Sequence, residues 1–385
     1  MIEWVKILFA RIINFVFLGS KSILSSKNKP YVCGVYDFST PEDGHIKGRL
    51  FYPSKRSTLI SSPGAKWSTH SVANIVYGKL VYWLRPNSRS EIVQYLCLVV
   101  YYLCRMIPCS FLPRLPNSVQ ATESPEISSQ EPNLPLIVWS HGRGGNVHDH
   151  ALLLSQLAVE VPAICVAITH TDGSADTWPS ALKRRPACYY HHSQASGQED
   201  RYLSELVEMS EYQIRYRIRE LEDTIQLVKS LVKFERVVVG GFDLGGATAL
   251  AAAARLNAEC VITVDGMFAL EDRFKFPRLL FPHEFQIPCP VAFIVSDEVH
   301  LWDKAVTDNT MELVNKSSSN KYIPVKQSKH NNFIEPVIYW IPQISLIALR
   351  MSGLIHRRGC PRKTYRRSAK WLVALIQQFS TTTTS

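Results

Sequence analysis

Residues Arg236–Leu250 read RVVVGGFDLGGATAL. Val237, Val238 and Val239 form a β-branched run too short for a helix of its own and suited to a strand buried on both faces. Gly240 and Gly241 end that run, Gly245 and Gly246 follow, and Ala247 to Ala254 supply strong helix formers. A strand, a glycine-flanked turn and a helix are the context of a nucleophile elbow, in which the central residue sits in a strained backbone conformation with chain packed close on both sides. The pentapeptide is Gly241-Phe242-Asp243-Leu244-Gly245, so an aspartate stands where the elbow motif carries a serine.

Working outward, the surrounding chain alternates strands with helices. The segments LPLIVWSHGRGG, AICVAITHTDGSA, CVITVDGMF and PVAFIVSDE read as buried strands running into turns. Between Leu203 and Val232 apolar residues recur at helical spacing, which predicts a long helix with Glu and Arg on its other face. Residues 31–53 alternate and turn like an antiparallel hairpin. The pattern predicts an α/β fold with a mostly parallel central sheet and helices on both faces.

An elbow nucleophile needs an acid and then a histidine later in the chain. Asp265 stands directly after the CVITV strand, at the carboxyl edge where parallel-sheet sites are built, and His330 sits in the polar stretch QSKHNNF. Asp297, after VAFIV, is a second candidate acid. The glycine-rich turn in SHGRGG can offer the Arg143 backbone N–H to a developing oxyanion, with the Leu244 N–H as the second donor.

The 46% hydrophobic and 20% charged composition of the 385 residues indicates a folded globular chain. The net charge of +10 is concentrated in a C-terminal cluster of Arg357, Arg358, Arg362, Lys363, Arg366, Arg367 and Lys370. No aromatic-stacking or zinc-finger pattern accompanies it, so nucleic acid is a poor partner; a solvated face and an anionic membrane surface both fit. Nine cysteines without a C-x-x-C pair support neither a disulfide framework nor a zinc site, and Cys97, Cys104 and Cys109 read as buried thiols. Residues 1–29 form an apolar extension interrupted by Glu3, Lys6 and Arg11, readable as an interfacial anchor or a weak signal sequence. Ile2 rules out N-myristoylation. Within 73–111, the run IVQYLCLVVYYLCRMIPCSF is either a buried helix or a lipid-interface helix, and the proline-containing 112–135 reads as an exposed loop.

The motifs PYVCGVYDF with RLFYPS, PLIVWSHGRGG, THTDGSA, VVVGGFDLGGAT, VDGMF and KHNNF together resemble those of the platelet-activating factor acetylhydrolases, over about residues 30–380. The resemblance implies one α/β-hydrolase domain over 30–380 that needs no metal or cofactor. It also implies removal of short or oxidised sn-2 acyl chains from phospholipids at a membrane or lipoprotein surface. By position it assigns the acid to Asp265, the base to His330 and the oxyanion donors to Arg143 and Leu244, and it puts the lipid-interface helices over 92–109. The family elbow reads G-H-S-F-G; here Asp243 replaces its serine.

That exchange changes the chemistry. A carboxylate attacking an ester carbonyl would form an anhydride, whose collapse expels the carboxylate, a far weaker base than the substrate alkoxide. Two alternatives remain open. Asp243 can displace a leaving group at saturated carbon, as in hydrolases with an elbow aspartate, although no group to grip a halide or epoxide is evident. Otherwise Asp243 pairs with His330 and leaves the pocket chemically idle, in an inactive lipid-associated homologue.

Overall fold

The computed structural model describes residues 31–39, 46–55, 64–69, 114–115, 118–121, 134–175, 199–271, 277–281, 284–298, 304–333 and 361–382, with single residues at 74, 95, 99, 102 and 105. The apolar extension 1–29, most of the 73–111 segment, Cys97, Cys104, Cys109, Arg357 and Arg358 lie outside these described residues.

The hairpin expected at the start is present. β1 (Tyr31–Ser39) pairs antiparallel with β2 (Lys47–Lys55), from Tyr31 opposite Lys55 to Ser39 opposite Lys47. The short strand β3 (Ser118–Ala121) then adds parallel to β1. This corrects the reading of 112–135 as exposed loop throughout, because Leu115 and Ser118 are buried. The prolines around these residues hid a strand only four residues long.

The α/β portion follows in chain order as β4 (Leu136–Ser140), α1 (Ala151–Glu160), β5 (Ile164–Thr169), α2 (Glu199–Leu231), β6 (Val237–Phe242), α3 (Leu244–Ala252) and β7 (Cys260–Val264). A small antiparallel pair, β8 (Ala269–Glu271) with β9 (Pro277–Leu279), precedes β10 (Val291–Ser296), α4 (Lys304–Asn315), β11 (Lys321–Val325) and α5 (Pro361–Thr382). A 3-10 turn covers His330–Phe333.

Nine strands form one sheet in the order β11-β10-β7-β6-β4-β5-β2-β1-β3, in which β2 alone runs against the rest. From β4 the chain steps one way to β5 and later the other way to β6, so the strand order reverses at β4/β6. In open α/β sheets such a switch point leaves a crevice at the carboxyl ends of the strands. This sheet order, with a turn of elbow geometry directly after β6, is the α/β-hydrolase fold.

Strand periodicity decides which side chains face which helices. Ile137 and Trp139 point to the layer holding α1 and α5, with Leu154, Leu157, Leu372 and Ile376. Leu136 and Val138 point to the other layer, with Leu221 and Val228 of α2 and Leu250 of α3. Burying each such side chain contributes about 1.5–3 kcal/mol, which fixes the β4–β6 register and with it the positions of the two turns that follow.

Candidate active site

The elbow owes its shape to two close approaches. A Cβ on Gly241 would lie 2.2 Å from Gly245 O, and one on Gly245 would lie 2.1 Å from Ser140 O. Neither site accepts a side chain, so the β6–α3 turn presses directly onto the end of β4. Asp243 sits at the apex with φ 54° and ψ −123°, a conformation that costs on the order of 1–3 kcal/mol and must be held by its surroundings. Its holders are backbone groups: Asp243 N–H donates to Val264 O at 3.0 Å, and Asp243 O accepts from Gly246 N at 2.9 Å and Met267 N at 3.1 Å. Although Asp243 occupies the N-cap position of α3, its carboxylate makes no capping hydrogen bond.

The carboxylate instead turns to the neighbouring loop. Arg143 N–H donates to Asp243 Oδ2 at 2.9 Å, so the backbone group expected to receive an oxyanion already holds an anionic oxygen. Leu244, first residue of α3, has a first-turn N–H without an intrahelical acceptor, as in any helix, and follows Asp243 directly.

His330 lies on the other side of the carboxylate. Its Nε2 is 4.0 Å from Asp243 Oδ1 and its Nδ1 is 3.3 Å from Asp265 Oδ2. Asp265 is fully buried, with Oδ1 accepting from Ser296 N at 2.6 Å, which aims Oδ2 at the imidazole. Asp297, the second candidate acid, accepts from Gln327 N and secures the turn after β11. Glu298 accepts from His330 N at 2.8 Å and pairs with Lys329, so it fixes the backbone of the histidine turn. The ring of Phe242 stacks on His330 with centroids 4.5 Å apart. Burial alone pushes the imidazole towards neutrality, but the Asp265 carboxylate 3.3 Å from Nδ1 and the charges of Asp243 and Glu298 outweigh it and raise its pKa above the ordinary value. A charged imidazolium between two carboxylates is an ion-pair partner, and only after losing its proton can it act as a general base.

The sequence signal missed the groups behind this pocket. Charges on α2 were expected on its outer face, yet Arg217 and Glu220 are buried. Arg217 pairs with the buried Asp172 at 2.7 Å and donates to His141 O at 2.7 Å. Burial acts to raise the Asp172 carboxyl, but Arg217 overrides it and holds the group well below the usual carboxylate range. Glu220 accepts from Thr171 N at 2.8 Å and sits 2.7 Å from His170 Nδ1, whose Nε2 is 2.8 Å from Ser140 Oγ. The signal available was the spacing 210, 213, 217, 220, a second helical stripe made of polar residues instead of apolar ones.

Among the described residues no cluster of His, Cys, Asp and Glu could hold a metal ion, and no helix is long and apolar enough to cross a membrane. No family model and no curated protein matches the chain. Solved structures similar to it include a hyperthermophilic esterase from Pyrobaculum calidifontis, at 12% identity, TM-score 0.43, and coverage of 99% of this chain and 94% of that one. Carboxyl esterase 2 of Tuber melanosporum matches at 12% identity and TM-score 0.35 over 83% of this chain and 87% of its own. Est1E of Butyrivibrio proteoclasticus matches at 12% identity and TM-score 0.34 over 52% and 82%. At such scores these likenesses carry no argument about chemistry, and the fold rests on the sheet order and the elbow described above.

Proposed function

We propose that this chain carries a lipid-ester site of the platelet-activating factor acetylhydrolase type, for phospholipids with short or oxidised sn-2 acyl chains, in which Asp243 suppresses hydrolysis. The single observation that supports this reading is the 2.9 Å hydrogen bond from Arg143 N to Asp243 Oδ2. The base, its acid and one oxyanion donor surround position 243, while the side chain there fills the donor's acceptor position and ties up the base. A carbonyl oxygen gaining charge would have to displace a resident carboxylate. The ligand class comes from the sequence resemblance alone. The experiment is substitution of Asp243 by Ser, which removes the occluding oxygens and supplies the missing nucleophile.

A second reading, displacement at saturated carbon by Asp243, is favoured by the asymmetry of the carboxylate. Oδ2 is fixed by a backbone donor while Oδ1 faces His330 across 4.0 Å. Oδ1 would attack, releasing the leaving group with its electron pair, and water deprotonated by His330 would then hydrolyse the enzyme ester at its carbonyl carbon. Single turnover in heavy-oxygen water would place the label in the Asp243 carboxylate. Label found only in the product would exclude this route.

A further inference from the structure

Helix α2 aims one stripe of polar residues at the two loops that flank the elbow. Ser210, Gln213, Arg217 and Glu220 lie at i, i+3, i+7 and i+10, one face of the helix, and all are buried. Arg143 Nη2 donates to Ser210 Oγ at 2.9 Å and to Gln213 Oε1 at 3.4 Å. One turn further on, Arg217 Nη1 donates to His141 O at 2.7 Å, two residues before Arg143. The same guanidinium contacts Ser174 Oγ through Nη2 and Asp172 Oδ2 through Nε. Ser174 O in turn accepts from Gly144 N at 2.7 Å, one residue after Arg143. The peptide that presents the Arg143 N–H is therefore tied to α2 on its upstream side, on its downstream side through Ser174, and by its own side chain.

We propose that Arg217 and Ser210 are positioning residues for the elbow pocket: from α2 they set the direction of the Arg143 backbone N–H towards position 243. A planar guanidinium suits this role because its fork fixes two loops at once in a rigid relative geometry, which a lysine ammonium does not do. Burying so many polar groups beside a site has a desolvation cost that an apolar helix face would avoid, and three of them, Ser210, Gln213 and Arg217, converge on residues 141–143. The inference concerns the frame of the pocket and holds whether or not the pocket turns over an ester.

The test compares two amides that touch Asp243 from different sides. Arg143 N donates to its Oδ2, whereas Gly246 N donates to its backbone O at 2.9 Å and belongs to α3. Amide hydrogen exchange is read for both in wild type, Arg217→Lys and Ser210→Ala. Arg217→Lys keeps the charge beside Asp172 and loses the fork; Ser210→Ala removes only the tether on the Arg143 side chain, and carries the test if the lysine variant does not fold. The expected result is exchange at Arg143 faster by about tenfold in Arg217→Lys, and by a smaller factor in Ser210→Ala, with Gly246 unchanged. Parallel acceleration of both amides would mean general loosening, and no change in either would mean the loop is set without α2; each overturns the proposal. In an Asp243→Ser background the same substitutions should lower kcat by about tenfold or more with KM little changed. Absence of turnover in that background would count against the esterase reading and leave the amide result standing.

Discussion

Arg143 and Asp243, one hundred residues apart in sequence, meet through a backbone N–H and a carboxylate oxygen separated by 2.9 Å. The contact puts a carboxylate oxygen where an ester hydrolase would develop an oxyanion. It also brings His330 within 4.0 Å of a second carboxylate besides Asp265. The elbow aspartate thereby meets a backbone donor on one side and faces the imidazole on the other. Three measurable consequences follow from that arrangement and its supports, and a fourth from the surface of α5.

The first concerns His330. Its folded-state pKa lies above the ordinary 6.5, so the ion pairs it makes stabilise the fold fully below that value and are lost as pH rises through the raised pKa. Ring-proton NMR should show His330 titrating above 6.5 in wild type and lower in Asp243→Asn, where one of its two carboxylate neighbours is neutral. An identical titration in the two proteins would show that Asp243 does not act on the imidazole.

Glu220 gives a dependence of the same sign in a more acidic window. Burial raises its pKa from 4.5 to about 7 against the hydrogen bonds from Thr171, so the folded state binds a proton that the unfolded state releases. Between pH 4.5 and 7 stability should therefore fall as pH rises, by at most about 3 kcal/mol. Urea unfolding across that range should show the slope in wild type and a flatter profile in Glu220→Gln. A slope unchanged by the substitution would assign the effect elsewhere.

The exposed face of α5 carries Arg366, Arg367 and Lys370 beside the half-exposed Trp371. With the net charge of +10, this face should favour anionic over neutral vesicles. Reversing the three charges should weaken sedimentation with anionic vesicles and leave folding intact, since none of the three is buried. Equal binding to both vesicle types by wild type would remove the electrostatic part of the expectation.

The elbow, the hairpin and the order Asp243, Asp265, His330 were legible because each depends on short-range rules. Glycines at 241 and 245 mark backbone contact, valines at 237–239 mark a doubly buried strand, and Asp265 and His330 follow strands β7 and β11 in sequence. Helix α1 was not anticipated: ALLLSQLAVE is buried on nearly every side and so lacks a contrasting polar face. Strand β11, KYIPV, was obscured by Pro324, a residue tolerated there because β11 is an edge strand. The buried charges of α2 were read as solvent-facing because sequence alone does not say that Asp172 and His141 O lie opposite Arg217. Nor does an aspartate in an elbow disclose which way its carboxylate turns; the Arg143 contact supplies that.

Ester hydrolysis by Asp243→Ser against wild type, with Asp243→Ser carrying His330→Ala as control, tests whether the elbow carboxylate holds the site inactive. Serine is smaller than aspartate and meets the same backbone, so the turn held by Val264 O, Gly246 N and Met267 N should accept it. Loss of a triad nucleophile lowers kcat by about a millionfold in a serine protease, so even partial restoration should stand well above background. With p-nitrophenyl acetate and a short-chain phosphatidylcholine as substrates, Asp243→Ser should show a large gain that disappears in the His330→Ala double variant. A folded Asp243→Ser protein with no gain, or wild type that already matches it, would contradict the claim that Asp243 holds ester chemistry off.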